Sequence, residues 1–253
     1  MPRHLTLLTG ATRGLGAAIA LQLLSEPSNL LLCLSRGRNA ALQEQAQASG
    51  ATVEQWPVDL AAPLEAAARV EAWLGAQDAA AFDTATLINN AATLTRVGPL
   101  DGVAPDELSR ALRVGLEAPL LLGAAFLRAT ANWRAERRLL NISSGLGRRA
   151  MAGQAAYCAI KAGLDHASRA IALDEALKPR GAKVVSLAPG VIDTDMQAQL
   201  RAAEASAFPD QALFLQLKSA GRLSAPQDTA RQLLAYLARP DFGSQPIADL
   251  RDA

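Results

Sequence analysis

Between a short apolar run, Leu5-Thr6-Leu7-Leu8, and an apolar-periodic stretch from Ala17 to Leu24 lie eight residues: Thr9-Gly10-Ala11-Thr12-Arg13-Gly14-Leu15-Gly16. That order predicts a strand, a glycine turn and a helix. Glycine lets the backbone turn through conformations other residues disfavour, and lets a phosphate approach without meeting a Cβ. A helix opening near Gly14 aims its free N–H groups and the positive end of its dipole at that phosphate. Gly10 as an ordinary loop residue is the plain alternative. The placement directly after a first strand points instead to nucleotide binding.

The alternation continues along the chain. Apolar runs predict strands at His4–Thr9, Asn29–Ser35, Thr52–Val58, Thr86–Asn89, Leu139–Ser143 and Lys183–Ala188. Helical spacing predicts helices at Gly14–Ser25, Ala40–Ser49, Pro63–Ala76, Pro105–Ala131 and Gln154–Lys178. Strands joined through helices run parallel, with right-handed crossovers that stack helices on both faces. The fold class is therefore α/β, a doubly wound parallel sheet of the Rossmann type. No linker divides residues 1–253, so a single domain is expected. Residues 195–225 interrupt the rhythm: Met196, Leu200, Phe208, Leu213, Phe214 and Leu217 recur at helical spacing where a short connection is usual. Such an insertion after a strand is either a lid over a binding crevice or a packed helical excursion. Pro226 opens a last helix to about Ala238, and Gln245–Leu250 reads as an edge strand.

Lys and Arg (25) nearly balance Asp and Glu (24). A near-neutral surface argues against nucleic acid or an anionic membrane as partner. Cys33 and Cys158 form no disulfide framework, and with only His4 and His166 beside them there is no metal-ligand spacing. The longest apolar span, Ala118 to Leu127, is too short to cross a bilayer, and the N-terminus lacks the long apolar core of a secretory signal. A reduced, cytoplasmic protein is expected.

Tyr157 and Lys161, four residues apart on a predicted helix, share one face. Tyrosine normally ionises near pH 10. A neighbouring ammonium favours the phenolate, so such a pair can exchange a proton with a carbonyl or alcohol near neutral pH. The same spacing also describes a solvated helix face. Ser144 lies thirteen residues upstream, just past the fifth strand, at the carboxyl edge where such sheets bind ligands. Its hydroxyl would polarise the same oxygen; Ser143 is the neighbour it could be confused with.

Taken in order, these segments resemble the short-chain dehydrogenase/reductase family, from the first strand to about Met196. Thr-Gly-x-x-x-Gly-x-Gly is similar to that family's cofactor turn, and Asn89-Asn90-Ala91-Ala92 to its Asn-Asn-Ala-Gly. Asn141-Ile142-Ser143-Ser144 and Tyr157-x-x-x-Lys161 match its catalytic serine, tyrosine and lysine, and Pro189-Gly190-Val191-Ile192-Asp193-Thr194-Asp195-Met196 its nicotinamide segment. The resemblance implies Tyr157 as general acid/base, Lys161 lowering its pKa and holding the nicotinamide ribose, and Ser144 binding the substrate oxygen. It implies cofactor contacts from the turn (Thr9, Gly10, Thr12, Arg13, Gly14, Leu15, Gly16) and from Ser35, Arg36, Leu60 and Ala91. Asp59 would recognise the adenine amino group and Asn89 would fix the sheet edge beside the adenosine, with loop capping as the alternative for both. Pro189 and Gly190 would adjoin the nicotinamide, Ile192 would clamp its carboxamide, and Thr194 would reach the carboxamide and pyrophosphate.

NADP(H) rather than NAD is the expected cofactor. The second strand ends Cys33-Leu34-Ser35-Arg36, without the acid an NAD enzyme places at the ribose 2′-hydroxyl, and Arg36, Arg38 and Arg13 offer guanidinium groups to a 2′-phosphate. One departure stands out: where the family has an asparagine in its fourth helix, relaying protons to the lysine through water, this chain has Gly115. Within the family, the Leu-Ser-Arg after strand two and the tail Ala248-Asp249-Leu250-Arg251-Asp252 are similar to sepiapterin reductases and bacterial benzil-type diketone reductases. Asp249 would then anchor substrate, or lie in a solvated tail. Met151 should line the pocket wall, and Arg148 and Arg149 would meet an anionic substrate group or face water. The expected activity is NADPH-dependent reduction of a ketone or dicarbonyl. The alternatives are a 3-oxoacyl-thioester reductase and a catalytically weak NADP(H)-sensing protein. The helices Pro105–Ala131 and Gln154–Lys178 resemble the family's dimerisation pair, so a homodimer is expected.

Overall fold

The computed structural model describes residues 3–252. Its sheet has seven strands: β1 (His4–Thr9), β2 (Asn29–Ser35), β3 (Thr52–Pro57), β4 (Thr84–Asn89), β5 (Glu136–Ile142), β6 (Lys183–Ala188) and β7 (Ile247–Asp249). All are parallel, in the order β3-β2-β1-β4-β5-β6-β7. The chain runs outward from β1 to β3, then returns to lay β4 on the other side of β1. That reversal opens a crevice at the carboxyl ends of β1 and β4, the place where open α/β sheets take ligands.

The strands are apolar on both faces, and their two-residue period splits the core in two. Leu5, Leu7, Leu30, Leu32 and Leu34 face α3 (Pro63–Gly75) and α5 (Ala118–Ala129), meeting Val70, Leu74, Leu122 and Phe126. Leu8, Leu31 and Cys33 face α1 (Gly14–Leu23), α2 (Ala40–Ser49) and α9 (Pro226–Leu237), meeting Ile19, Leu42 and Leu233. Several boundaries follow local chemistry. Asn39 caps α2, its side chain accepting from Ala41 N–H, and proline opens α3 and α9, where a missing N–H costs nothing.

Three elements differ from the sequence expectation for identifiable reasons. β5 starts at Glu136 rather than Leu139, because Arg137 is buried inside it, donating to the Arg180 carbonyl at 2.5 Å and to Glu175 at 3.4 Å. β4 correspondingly starts at Thr84, in register with Glu136. The helix expected over Pro105–Ala131 is one helix with a wider turn inside it: α4 (Pro105–Leu112), a π segment (Arg113–Glu117), then α5. Gly115 sits mid-segment and is buried. A Cβ there would lie 2.7 Å from Ile160 Cγ2 on α6 (Ala155–Ala176). Ile160 therefore fills the room an asparagine would need.

Residues 191–225 pack as a helical excursion carrying α7 (Asp195–Ala202) and α8 (Gln211–Ser219). Its ends are tied together: Asp193 N–H donates to the Ser224 carbonyl, and Ser224 N–H to that of Val191, both at 2.9 Å. Phe208, Phe214 and Leu200 form a small core with Met151, while Leu213 stays exposed. The edge strand lies within the expected Gln245–Leu250 and pairs with β6. Among the described residues no helix is long and apolar enough to cross a membrane.

Overpacking at the π segment yields a stability test. Gly115→Asn should lower the unfolding free energy by about 2 kcal/mol, read as a lower urea midpoint. In an Ile160→Ala background the same substitution should cost less than half as much. Equal cost in both backgrounds would contradict the packing described here.

Candidate active site

A cleft of about 470 Å³ runs along the carboxyl ends of the strands. At its polar end, Gly10 has φ +74°, and a Cβ on Gly16 would lie 2.1 Å from the Gly10 carbonyl oxygen. Only glycine closes this turn. No side chain caps the amino end of α1, so its first N–H groups stand beside Gly14 and Leu15 in the cleft wall. Uncapped donors, a helix dipole and the close-packed glycines suit a pyrophosphate. A dinucleotide fits this end.

Thr9 and Asn89 require correction as direct contacts, because both are buried behind the lining. The Thr9 hydroxyl accepts from Asn90 and Ala91 N–H, both at 2.9 Å, locking the β4 exit against the turn. Asn89 donates to the Asn141 side chain at 2.9 Å, tying β4 to β5. Asn90, unassigned from sequence, faces the cleft and donates to the Thr9 and Gly10 carbonyls. Ser35 holds the turn as well, accepting from Ala11 N–H at 2.8 Å. Thr12, Leu60, Ala91, Pro189, Gly190, Ile192 and Thr194 all line the cleft.

At the other end of the dinucleotide groove stand Arg36, Asp59 and Arg110. Asp59 does two things at once. It accepts from Ala61 N–H at 3.0 Å as a loop cap, and it faces the cleft in a two-pronged pair with Arg110 at 2.9 and 3.2 Å. The Ala61 N–H bond and the Arg110 and Arg36 charges hold its carboxyl below the usual range. Arg110 gave no sequence signal. Arg13 lines the cleft and pairs with Asp195 at the start of α7, 3.2 Å away. Arg38 turns to the Gln55 carbonyl on β3.

Tyr157, Ser144 and Lys161 line the cleft together. Ser143 and Ser144 diverge: the Ser143 hydroxyl turns inward to Asp165, whereas Ser144 stands beside the Tyr157 hydroxyl. Lys161 is buried and donates to the Ile142 carbonyl at 2.7 Å, its ammonium 5.6 Å from the centre of the Tyr157 ring. Burial acts on Tyr157 against the lowering expected from its lysine neighbour. Dehydration by surrounding protein pushes its phenol up to about 12, against a hydrogen bond with Ser144 that opposes the rise. Dehydration likewise lowers Lys161 to about 8, with the Asp165 charge opposing that fall. Burial outweighs pairing because each charged form would lose water and gain too little in return. The phenol therefore keeps its proton at neutral pH.

Beyond Tyr157 the cleft widens into a chamber walled by Leu94, Leu146, Met151, Leu200 and Phe214, with Arg149 exposed at its edge. Asp249 does not lie in a solvated tail. It is buried outside the lining, accepting from Arg251 Nε and Nη2 at 2.8 and 2.6 Å, and its carboxyl lies below the usual range through those bonds. Arg148 is committed as well, to Asp165 at 3.2 Å and the Ala248 carbonyl at 2.9 Å.

The family model for short chain dehydrogenase matches residues 4–205. A benzil reductase ((S)-benzoin forming) of Bacillus cereus is 31% identical over 93% of this chain and 94% of its own length. Bovine sepiapterin reductase is 32% identical over 99% of this chain and 95% of its own. Among solved structures, a metagenomic short-chain oxidoreductase in complex with NADP is 27% identical, with a TM-score of 0.71 over 97% of this chain and 94% of that one.

Proposed function

The chain belongs to the short-chain dehydrogenase family, and from that premise we propose that it is an NADPH-dependent carbonyl reductase acting on a ketone or dicarbonyl compound. The carrying observation is that Tyr157, Ser144 and Lys161 open onto the same cleft as the glycine turn. Bound there, a reduced nicotinamide dinucleotide supplies the hydride. The Ser144 and Tyr157 hydroxyls would hold the carbonyl oxygen between them, and Tyr157, neutral at physiological pH, would give it a proton. The Lys161 ammonium would stabilise the phenolate left behind. Apolar walls at Leu94, Leu146, Met151, Leu200 and Phe214 suit an apolar substrate body and keep water from the reacting oxygen. The relative active on benzil, a 1,2-diketone, supports the dicarbonyl class.

NADPH is favoured over NADH by charge at the ribose end. β2 ends without an acid, Arg36 is exposed in the lining, and the one carboxylate nearby, Asp59, is already paired with Arg110. A 2′-phosphate meets a guanidinium there; a bare 2′-hydroxyl would find no acceptor at β2. Free thiols at Cys33 and Cys158 suit the reducing cytoplasm as its compartment. Leu112, Leu120 and Leu173 stand exposed on α4, α5 and α6, which supports a homodimer through these helices.

NADPH oxidation with a 1,2-diketone tests the reading. Tyr157→Phe should lower kcat by at least ~10²-fold with the melting temperature retained; undiminished turnover would refute the acid, and no turnover in the unmodified protein would favour a cofactor-sensing role. Arg36→Ala should raise KM for NADPH by about tenfold and leave that for NADH unchanged; equal effects on both would refute the 2′-phosphate argument. Sedimentation equilibrium should return twice the chain mass of 26.5 kDa, and a monomer would contradict the interface.

A further inference from the structure

Lys161 and Asp165 stand one turn apart on the same face of α6, and neither is more than 3% exposed. They grip consecutive residues at the end of β5. The Lys161 ammonium donates to the Ile142 carbonyl at 2.7 Å, and the Asp165 carboxylate accepts from the Ser143 hydroxyl at 2.5 Å. Ser144 comes next in the chain. The same carboxylate accepts from the Ser186 hydroxyl of β6 at 2.7 Å and from Arg148 Nε at 3.2 Å. Gly147 packs so closely on this pair that a Cβ there would lie 2.8 Å from Asp165 Oδ2 and 2.9 Å from the Lys161 carbonyl oxygen. A buried carboxylate this well connected is costly unless its charge is matched, and losing one partner leaves the other uncompensated.

We propose that Asp165 is a positioning residue for the reaction: its buried charge holds the Lys161 side chain as an ammonium, and its bond to Ser143 fixes the strand end that aims Ser144 at the substrate oxygen. This rests on the roles given above to Lys161 and Ser144. The surroundings of Lys161 leave few rivals for the task. On α6 it faces Tyr157 and Asp165. β5 offers the Ile142 carbonyl, β6 the Ser186 hydroxyl bound to Asp165, and the loop after β5 offers Arg148, also bound to Asp165. The π segment contributes Gly115, which has no side chain and is packed against Ile160. Burial lowers Lys161 to about 8, and the Asp165 charge acts against that fall.

The Asp165 carboxylate and the Arg148 guanidinium bound to it predict opposite effects. Asp165→Asn keeps an acceptor for the Ser143 hydroxyl but removes a negative charge, so Lys161 should lose its proton at lower pH. Arg148→Gln leaves the Asp165 charge unopposed, so Lys161 should hold its proton to higher pH. A merely structural role would move neither. The chain has four lysines, Lys161, Lys178, Lys183 and Lys218, so ¹³Cε-lysine NMR of the full chain resolves the titration, with Lys161→Arg assigning the resonance. The midpoint should lie at about 8 in the unmodified protein, fall by about one pH unit in Asp165→Asn and rise in Arg148→Gln. The alkaline limb of kcat/KM for NADPH-linked diketone reduction should move in the same directions. Unmoved midpoints, or two shifts of the same sign, overturn the proposal. Should Asp165→Asn fail to fold, Arg148→Gln decides alone, upward sustaining the proposal and anything else overturning it. An unmodified protein that shows the NMR titration but reduces no carbonyl would instead count against the proposed function.

Discussion

The Lys161 ammonium, stripped of water beneath α6 and bonded to the Ile142 carbonyl, ties the longest helix to the end of β5. Helix and strand converge there because β5 is flanked on both sides by parallel partners and α6 covers its exit. The convergence sets the chemistry in two ways. It places the Tyr157 and Ser144 hydroxyls side by side at the open edge of the sheet, and it buries the Lys161 ammonium behind them. In that setting neither the phenol nor the ammonium ionises as it would in water, and both shifts favour neutral forms. A neutral phenol suits the reductive direction proposed above, in which an acid is needed.

The cleft is chemically divided along its length. Its dinucleotide end is built from backbone N–H groups, Arg36 and the Asp59–Arg110 pair, whereas its far end is built from leucine, methionine and phenylalanine. Arg13 and Asp195 bridge the glycine turn to the helical excursion across the mouth between them. Both partners are exposed, so the pair is weak by itself. Its significance is geometric, since it marks where α7 approaches α1. The excursion earns its stability elsewhere, through Phe208 and Phe214 packed on Met151 and Leu200.

Much of this was legible in the sequence where one physical signal dominates. β1, β2 and β6 keep the residues that their apolar runs mark, since turns bound each run. The glycine turn, Ser144, Tyr157 and Lys161 fall together in space because their spacings place them at the carboxyl edge. What escaped is what depends on partners far along the chain. Arg137 hid the true start of β5, because its charge is matched only by Glu175 and the Arg180 carbonyl. Asp249 looked free, yet Arg251 and Arg148 enclose it. Arg13 lines the cleft as expected, but its pairing with an acid brought by the excursion was not foreseen. Spacing revealed the lysine beside Tyr157 but not the burial that raises its phenol. Thr9 was placed one layer too close to the ligand, since a motif does not distinguish a residue that touches the ligand from one that braces the loop.

The most direct test of the central claim is isotopic. NADPH carrying deuterium at either face of nicotinamide C4 is incubated with the protein and a 1,2-diketone, and the hydroxyketone is examined by NMR and mass spectrometry. The account expects deuterium on the carbinol carbon from one face only, with the hydroxyl hydrogen drawn from solvent. A product formed without deuterium from either face, or no product at all, would contradict a hydride delivered in this cleft to a carbonyl protonated by Tyr157.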